Sequence, residues 1–426
     1  MMDNTEPTPS TPRDGAIQDV EVLVVGGGLV GATLAGVLAT AGIDTALVDR
    51  EDPAAVLDTG FDGRASAIAA GSRHMFEAVG LWDHVPAAQP ILDIHVTDGR
   101  IGRRASPLGL RYDHREVGEA MGHIVENRHL RMAQQHFLAT RDNLHHYAPV
   151  AVARVVRREH DAEARLADGR RIRARLVCAC DGRNSRLREE AGIRARRWQY
   201  DQSAVVATLA HETPHNGTAY EHFLPSGPFA MLPLTDASDG THRSSIVWTE
   251  KHAMAKRAVD LDDATFAREV LRRFGDELGT VRPIGPRFRY PLGGLHADRY
   301  ITNRLALVGD SAHAIHPIAG QGLNLGLRDV AALAECIVDA RRLGLDVGTQ
   351  QVLTRYQRWR RVDNLTLVAA TDSLDRLFSN DFGPVRLARD LGMAAVDRMG
   401  PLKKVFMRHA MGMFGDLPRL VKGEPL

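Results

Sequence analysis

LALVGDSAHAIHPIAGQGLNLGLRD, residues 305–329, is the stretch whose reading decides the fold. Residues 305–308 read as a short buried strand that breaks at Gly309-Asp310. A second break follows at Gly320-Gln321-Gly322, and an apolar helix runs on from it. Strand, acid-bearing turn, glycine turn and helix, in that order, suit a flavin. Asp310 can take the hydroxyls of a ribityl chain, and the glycines let backbone come within contact distance of a flat ring. The helix starting near Gly322 aims its unpaired N–H groups and positive dipole end at whatever precedes it. A reduced flavin carries negative charge on its pyrimidine side, where such an end stabilises it. An ordinary strand–loop–helix is the bland alternative.

Working outward, a second nucleotide signature lies near the start. Residues 20–25 form an apolar strand followed at once by Gly26-Gly27-Gly28-Leu29-Val30-Gly31. A helix to about Thr40, a turn at Gly42 and a strand over 45–48 complete a βαβ unit that ends at Asp49. This is the dinucleotide fingerprint in its proper setting. Gly26 makes the tight turn, Gly28 admits the pyrophosphate and Gly31 lets helix and strand close. Asp49 stands about 20 residues on, where a carboxylate accepts ribose hydroxyls. A further strand, 176–179, ends in Asp181-Gly182 ahead of a cation-rich helix, which suits a second contact with sugar and phosphates. Arg64 precedes a helix expected over 66–79, and Arg128 lies in the first turn of another. Either is a surface charge or, near a pyrophosphate, a phosphate ligand.

Composition bounds the rest. At 426 residues the chain is long for one core. The formal net charge of +1 argues against a dedicated nucleic-acid binder. The cysteines Cys178, Cys180 and Cys336 make no disulfide framework, and no metal site is expected from them. A reducing cytosol fits them, and neither a membrane span nor a signal peptide is visible.

The expected fold class is α/β: a doubly wound, Rossmann-like FAD-binding domain of the glutathione-reductase type, an inserted β-sheet domain and C-terminal helices. Residues 1–18 read as a disordered tail. The FAD-binding domain is expected over 19–85, 119–198 and 286–350, with a hairpin across 150–177. The sheet domain is expected over 86–118 and 199–285, and a helical region over 351–426. Phe223, Phe229, Met231, Leu232 and Trp248 give the inserted sheet an apolar face, most of them as core and one or two as cavity lining. In the last segment Met399, Leu402, Phe406, Ala410, Met413 and Leu417 recur three or four apart, with Lys403, Lys404 and Arg408 on the other side. That pattern fits packing on the domain, a second subunit, or a membrane surface.

Together the Gly26–Gly31 turn, Asp181-Gly182 and Gly309-Asp310 with its downstream helix resemble the class A flavoprotein monooxygenases, the para-hydroxybenzoate hydroxylase group. The segments VENRHL at 125–130, GPFAMLPL at 227–234, SIVW at 245–248 and HPIAGQGLN at 316–324 resemble one branch, the ubiquinone-biosynthesis hydroxylases. Ser311 replaces the branch's more usual alanine, and Asp49 its more usual glutamate.

The resemblance implies that Gly26, Gly28, Gly31 and Asp49 hold the ADP part of FAD, with Arg64 and Arg128 also touching the cofactor. Asp181 and Gly182 match a motif tied to FAD and to the passing nicotinamide. Gly309 and Asp310 would serve the ribityl chain. Gly320, Gln321, Gly322, Leu323 and Asn324 would lie against the isoalloxazine, with Pro317, Gly320, Gln321 and Gly322 as the candidates on the reacting side. The implied reaction is hydroxylation of a prenylated phenol by way of a flavin hydroperoxide formed from O2. Electrons come from NAD(P)H or an electron-donor protein, and no general base is named. A ubiquinone-biosynthesis complex, a homodimer and a membrane-surface contact through the C-terminal helix stand as further partners. The expected place is the cytoplasm, at or near the inner face of the cytoplasmic membrane. A secondary-metabolite hydroxylase and a non-catalytic FAD scaffold are the alternatives.

Overall fold

The computed structural model describes residues 17–54, 64–102, 109–315, 320–378, 392–393 and 395–426. Pro317, most of the expected tail and the expected loop at 380–384 lie outside the described residues.

Five parallel strands form the spine of the first sheet, in the order Leu305–Leu307, Arg171–Ala179, Ile17–Val25, Thr45–Val48 and Leu144–Tyr147. Where they meet they are buried runs, VLVV at 22–25, TALV at 45–48, LVCA at 176–179 and LAL at 305–307, as strands covered on both faces must be, while the edge strand Leu144–Tyr147 reads LHHY and is only partly buried. The first strand begins at Ile17, inside the stretch read as tail. Register brings the strand ends level. Val25 lies opposite both Val48 and Ala179, and Ala179 lies opposite Leu307. Gly26, Asp49, Cys180-Asp181 and Val308-Gly309 therefore leave one edge side by side, where open α/β sheets bind ligands. The helix Leu29–Thr40 packs against both Asn127–Ala139 and Gln321–Arg342. The expected hairpin across 150–177 is instead a three-stranded meander, Val152–Arg157, Ala162–Leu166 and Arg171–Ala179.

The second sheet has eight strands. Its middle runs Val281–Ala297, Ala195–His211, His242–Lys251, Gly227–Leu234, Thr218–Leu224 and Asp93–Asp98. All these neighbours are antiparallel except the last pair. Two of the strands are 17 residues long, and the domain boundaries expected at 198/199 and 285/286 fall inside them. The helices His252–Val259 and Asp263–Phe274 cover the outer face. Asp262 caps the second, its carboxylate accepting the Thr265 N–H at 2.9 Å.

Alternation divides the residues expected on the sheet's apolar face, three to core and two to cavity lining. Phe229, Met231 and Trp248 belong to the outer core with Phe266 and Phe274, while Phe223 and Leu232 face the other way, into a cavity. The helix expected over 66–79 is likewise two elements. Ala65–Ala69 is a strand paired to Gly122–Glu126, and the helix is Ala70–Val79. Small residues there tolerate either state, and the pairing decides.

The C-terminal helix Gly400–Ala410 turns differently from its sequence pattern. Met407 is fully buried, and Lys403 is drawn inward by Glu116 at 2.7 Å and Asp397 at 3.2 Å. Leu402, Val405 and Phe406 are exposed.

Candidate active site

The nucleotide end is built mainly from backbone. Gly26 has φ +103°, and a Cβ on it would lie 2.4 Å from the Cys180 carbonyl oxygen. A Cβ on Gly31 would stand 1.9 Å from the Gly26 carbonyl oxygen, so the helix closes on the strand only if that residue is glycine. Gly28 caps the helix and has open space beside it. The Asp49 carboxylate accepts the Gly27 N–H at 2.7 Å and the Glu51 N–H at 3.1 Å. Gly27, which the sequence reading left without a role, lets that carboxylate come so near: a Cβ there would be 2.5 Å from its oxygen. Asp181 accepts the Leu187 N–H with one oxygen at 3.2 Å, and its other oxygen is buried with no partner among the described residues. Gly182 follows with φ +80°. The backbone carbonyl of Arg64 takes the Asn127 N–H, so Arg64 and Arg128 stand together at one corner. Arg128 reaches Glu126 at 3.2 Å, and Arg64 lies over the Tyr290 ring.

The other end is organised by a buried ion cluster behind the Gly309 turn. Asp329 is fully buried. One oxygen takes the Gly309 N–H at 3.0 Å and His313 Nε2 at 2.5 Å; the other takes Arg360 Nε at 2.9 Å and Asn364 Nδ2 at 3.3 Å. Burial alone would raise this carboxyl, but His313 and Arg360 outweigh it and bring its pKa down to about 2. The cluster thus fixes the turn that presents Asp310. Ser311 adds a second pin, donating to the Ala179 carbonyl at 2.6 Å and accepting the Val308 N–H at 3.0 Å. Asp310 is exposed to the cavity, and the protein surrounding that cavity partly desolvates its carboxyl and raises its pKa.

Gly320, with φ +63°, caps the helix Gln321–Arg342, whose first turn lines the same cavity and so brings its N-terminal N–H groups and positive dipole end there. Asn324 holds this helix end to the strand Ala65–Ala69 by accepting the Ala69 N–H at 2.9 Å and donating to the Ala67 carbonyl at 2.7 Å. The polar groups of its side chain are turned to protein. Gln321 donates to the Ala410 carbonyl at 3.2 Å, tying the same end to the C-terminal helix.

Between this helix end and the second sheet lies a cavity of about 1350 Å³. Ile94, Val96, Phe223, Ala230, Leu232 and Val247 wall it on the sheet side, and Val405, Phe406 and Phe414 on the C-terminal side. Glu221, which the sequence reading did not single out, stands in this apolar wall. Burial pushes its carboxyl up to about 7. Tyr112, also lining, is pushed up to about 12, chiefly by burial and further by Asp397. Among the described residues the one group with metal-ligand spacing, Asp93, Asp113 and His114, consists of partly exposed side chains.

An open glycine turn, a carboxylate at the neighbouring strand end, an orphaned Asp181 oxygen, and a helix N-terminus on a large apolar cavity together fit FAD. Fold and site define a flavoprotein monooxygenase. The FAD binding domain family matches residues 19–363. Ubiquinone hydroxylase UbiL of Rhodospirillum rubrum is 50% identical over 425 residues, covering 99% of this chain and 97% of that protein. The 3-demethoxyubiquinol 3-hydroxylase of Escherichia coli is 35% identical over 400 residues, covering 93% and 99%. PqsL of Pseudomonas aeruginosa superposes with a TM-score of 0.73 at 23% identity, over 89% of this chain and 99% of that one. The p-nitrophenol 4-monooxygenase PnpA of Pseudomonas putida gives 0.74 at 19%, over 94% and 100%. These two structures speak for the fold alone. The chain belongs to the FAD binding domain family, and within it to the ubiquinone-biosynthesis hydroxylases.

Proposed function

We propose that this protein hydroxylates the aromatic ring of a polyprenylated phenol on the route to ubiquinone, with O2 and NAD(P)H as co-substrates. The observation that carries the reading is the apolar cavity of about 1350 Å³ that meets a helix N-terminus at Gly320–Asn324. FAD, when bound, takes electrons from the nicotinamide and activates O2 for transfer of one oxygen atom to an electron-rich ring.

In this reading Gly26, Gly28, Gly31 and Asp49 hold the ADP portion, Arg64 and Arg128 its phosphates, and Asp181 with Gly182 the adjoining sugar. Asp310 takes the ribityl hydroxyls. Gly320, Gly322 and Leu323 lie along the ring, and the helix N-terminus stabilises negative charge there. Val96, Phe223, Ala230, Leu232 and Val247 exclude water, which preserves activated oxygen for the ring. An apolar lining of this size also suits a prenyl tail.

The tail's route supports a membrane-surface position. Met399, Leu402, Val405, Phe406 and Phe414 are exposed, and three of them also line the cavity. A bilayer against that patch would cover them and pass the tail straight inward. No helix among the described residues is long and apolar enough to cross a membrane.

The test is lipid extraction from a strain lacking the protein, with mass identification of the intermediate that builds up. A prenylated phenol lacking one ring hydroxyl supports the reading, and the purified yellow protein should hydroxylate it with NAD(P)H and O2. An unchanged quinone pool overturns it.

A further inference from the structure

Among the described residues the cavity wall holds two carboxylates, Asp310 beside the Gly309 turn and Glu221 on the second sheet. Glu221 has no role in holding a cofactor in the reading above. On the strand Thr218–Leu224, alternation sends Ala219, Glu221 and Phe223 to one face, and all three line the cavity. The strand's other face carries His222 and Tyr220 into ring contacts with Phe274. Across the sheet, Glu221 lies opposite Ala230 on one side and Val96 on the other. Beyond them stand Val247 and Leu110. A carboxyl thus sits at the middle of a row of five residues whose other four are aliphatic and also line the cavity. Among the described residues its carboxylate makes no hydrogen bond and no ion pair, and burial is the sole cause acting on its ionisation.

A packed apolar wall gains nothing from a lone carboxyl, whose charged form is disfavoured until a partner arrives. The cavity is where that partner comes from. The ligand chemistry that answers an unpaired carboxylate in an otherwise aliphatic wall is a single O–H donor on an apolar body. A phenol is such a ligand, and its hydroxyl must ionise for the ring to become a strong nucleophile.

We propose that Glu221 is the general base of the hydroxylation, accepting the proton of the phenol hydroxyl. The proposal rests on the hydroxylase reading. The phenol O–H bond breaks, an O–H bond forms on the Glu221 carboxyl, and the electron pair stays on the phenol oxygen and spreads into the ring. No other bond changes in this step. A carboxyl near 7 is ionised often enough to accept the proton at neutral pH, and holds it better than an ordinary glutamate near about 4.3. The other charged or titratable groups on the cavity wall, among the described residues, are Tyr112, Arg183, Tyr220, Asp310 and His409. Tyr220 and His222 flank Glu221 on its own strand and His95 lies on the neighbouring one, and burial is the largest cause of shift in each.

The test compares wild type, E221Q and E221D as FAD-loaded enzymes on two substrates. One is a short-chain 2-prenylphenol. The other is its polyfluorinated analogue, which ionises near neutral pH unaided. The expected result for E221Q on the plain phenol is a kcat down about 100-fold with KM within a few-fold, and flavin content unchanged. The acid limb of the wild-type kcat profile, near 7, disappears with it. E221D retains part of the rate. On the fluorinated phenol the ratio of wild type to E221Q shrinks toward one, because no base is then required. An equal loss on both phenols, or no loss on either, overturns the assignment. A wild type that oxygenates neither phenol overturns the hydroxylase reading, and the proposal falls with it.

Discussion

Asp329 and Glu221 are both enclosed carboxylates, and the two halves of the molecule treat them in opposite ways. Asp329, behind the Gly309 turn, receives a histidine, an arginine, an asparagine and a backbone N–H, and its pKa falls to about 2. Glu221, on the cavity wall, receives none of these, and its pKa rises to about 7. Asp329 is fully buried and Glu221 only partly so, open to the cavity; what sets the direction of each shift is whether the fold supplies partners. The first arrangement fixes a turn, and the second leaves a group waiting for a ligand. A buried charge that is fully answered serves architecture, and one left unanswered beside a cavity serves chemistry.

The largest test of that contrast is Asp329→Asn. It leaves Arg360 and His313 facing an amide, so urea unfolding should show a loss of about 3–5 kcal/mol. A change below about 1 kcal/mol would show that the cluster does not brace the turn. The pH dependence follows the same group. Its folded pKa lies below the usual aspartate value near about 3.9, so its contribution is present above that value and lost as pH falls toward about 2. Wild type should therefore weaken more steeply in that acid window than the variant, in melting scans at stepped pH.

Glu221→Gln should move stability the other way. A raised carboxyl means that the folded state disfavours the charge, so this group's cost sets in as pH climbs from about 4.3 to about 7. Removing the charge should stabilise the cofactor-free protein by about 1–2 kcal/mol at pH 8, discounted for contact with cavity water, with no gain near pH 4. Calorimetry at the two pH values reads the difference, and a variant less stable than wild type at pH 8 would erase the contrast.

Smallest is Asp49→Asn, a carboxylate answered by two backbone N–H groups but half open at its strand end. FAD affinity should fall about five- to tenfold, on the order of 1 kcal/mol, with little change in melting of the cofactor-free chain. Flavin fluorescence titration measures it.

The sequence was most readable where backbone does the binding. Gly26 and Gly31 stand where a Cβ would run into backbone, and Gly309 takes the left-handed φ of +64° that favours glycine, so their pattern announces the turns. It was less readable where side-chain direction decides. Nothing in GPFAMLPL says which alternate set faces the cavity, and Phe229 and Met231 went to the outer core while Ala230 and Leu232 line the pocket. The segment ASAIA was read into a helix because its strand state depends on Gly122–Glu126, far along the chain. Lys403 broke the amphipathic reading of the last helix because Glu116 and Asp397 supply charge inside. Asp329 needed a histidine from the strand His313–Ala314 and an arginine and an asparagine one turn apart on the helix Gln350–Phe378 before its meaning appeared. Glu221 did leave a signal, an acid in phase with Ala219 and Phe223, but its isolation is visible only once the neighbouring strands are paired.

The two 17-residue strands, Ala195–His211 and Val281–Ala297, pair with each other along most of their length and run from beside the nucleotide edge to the far rim of the second sheet. They act as a paired girder shared by both halves, so the chain crosses between the halves here in continuous strand. Passage of a long, oily molecule into the interior then falls to the C-terminal helix and its neighbours. Val405, Phe406 and Phe414, exposed on one side and lining the cavity on the other, are the side chains such a molecule would pass.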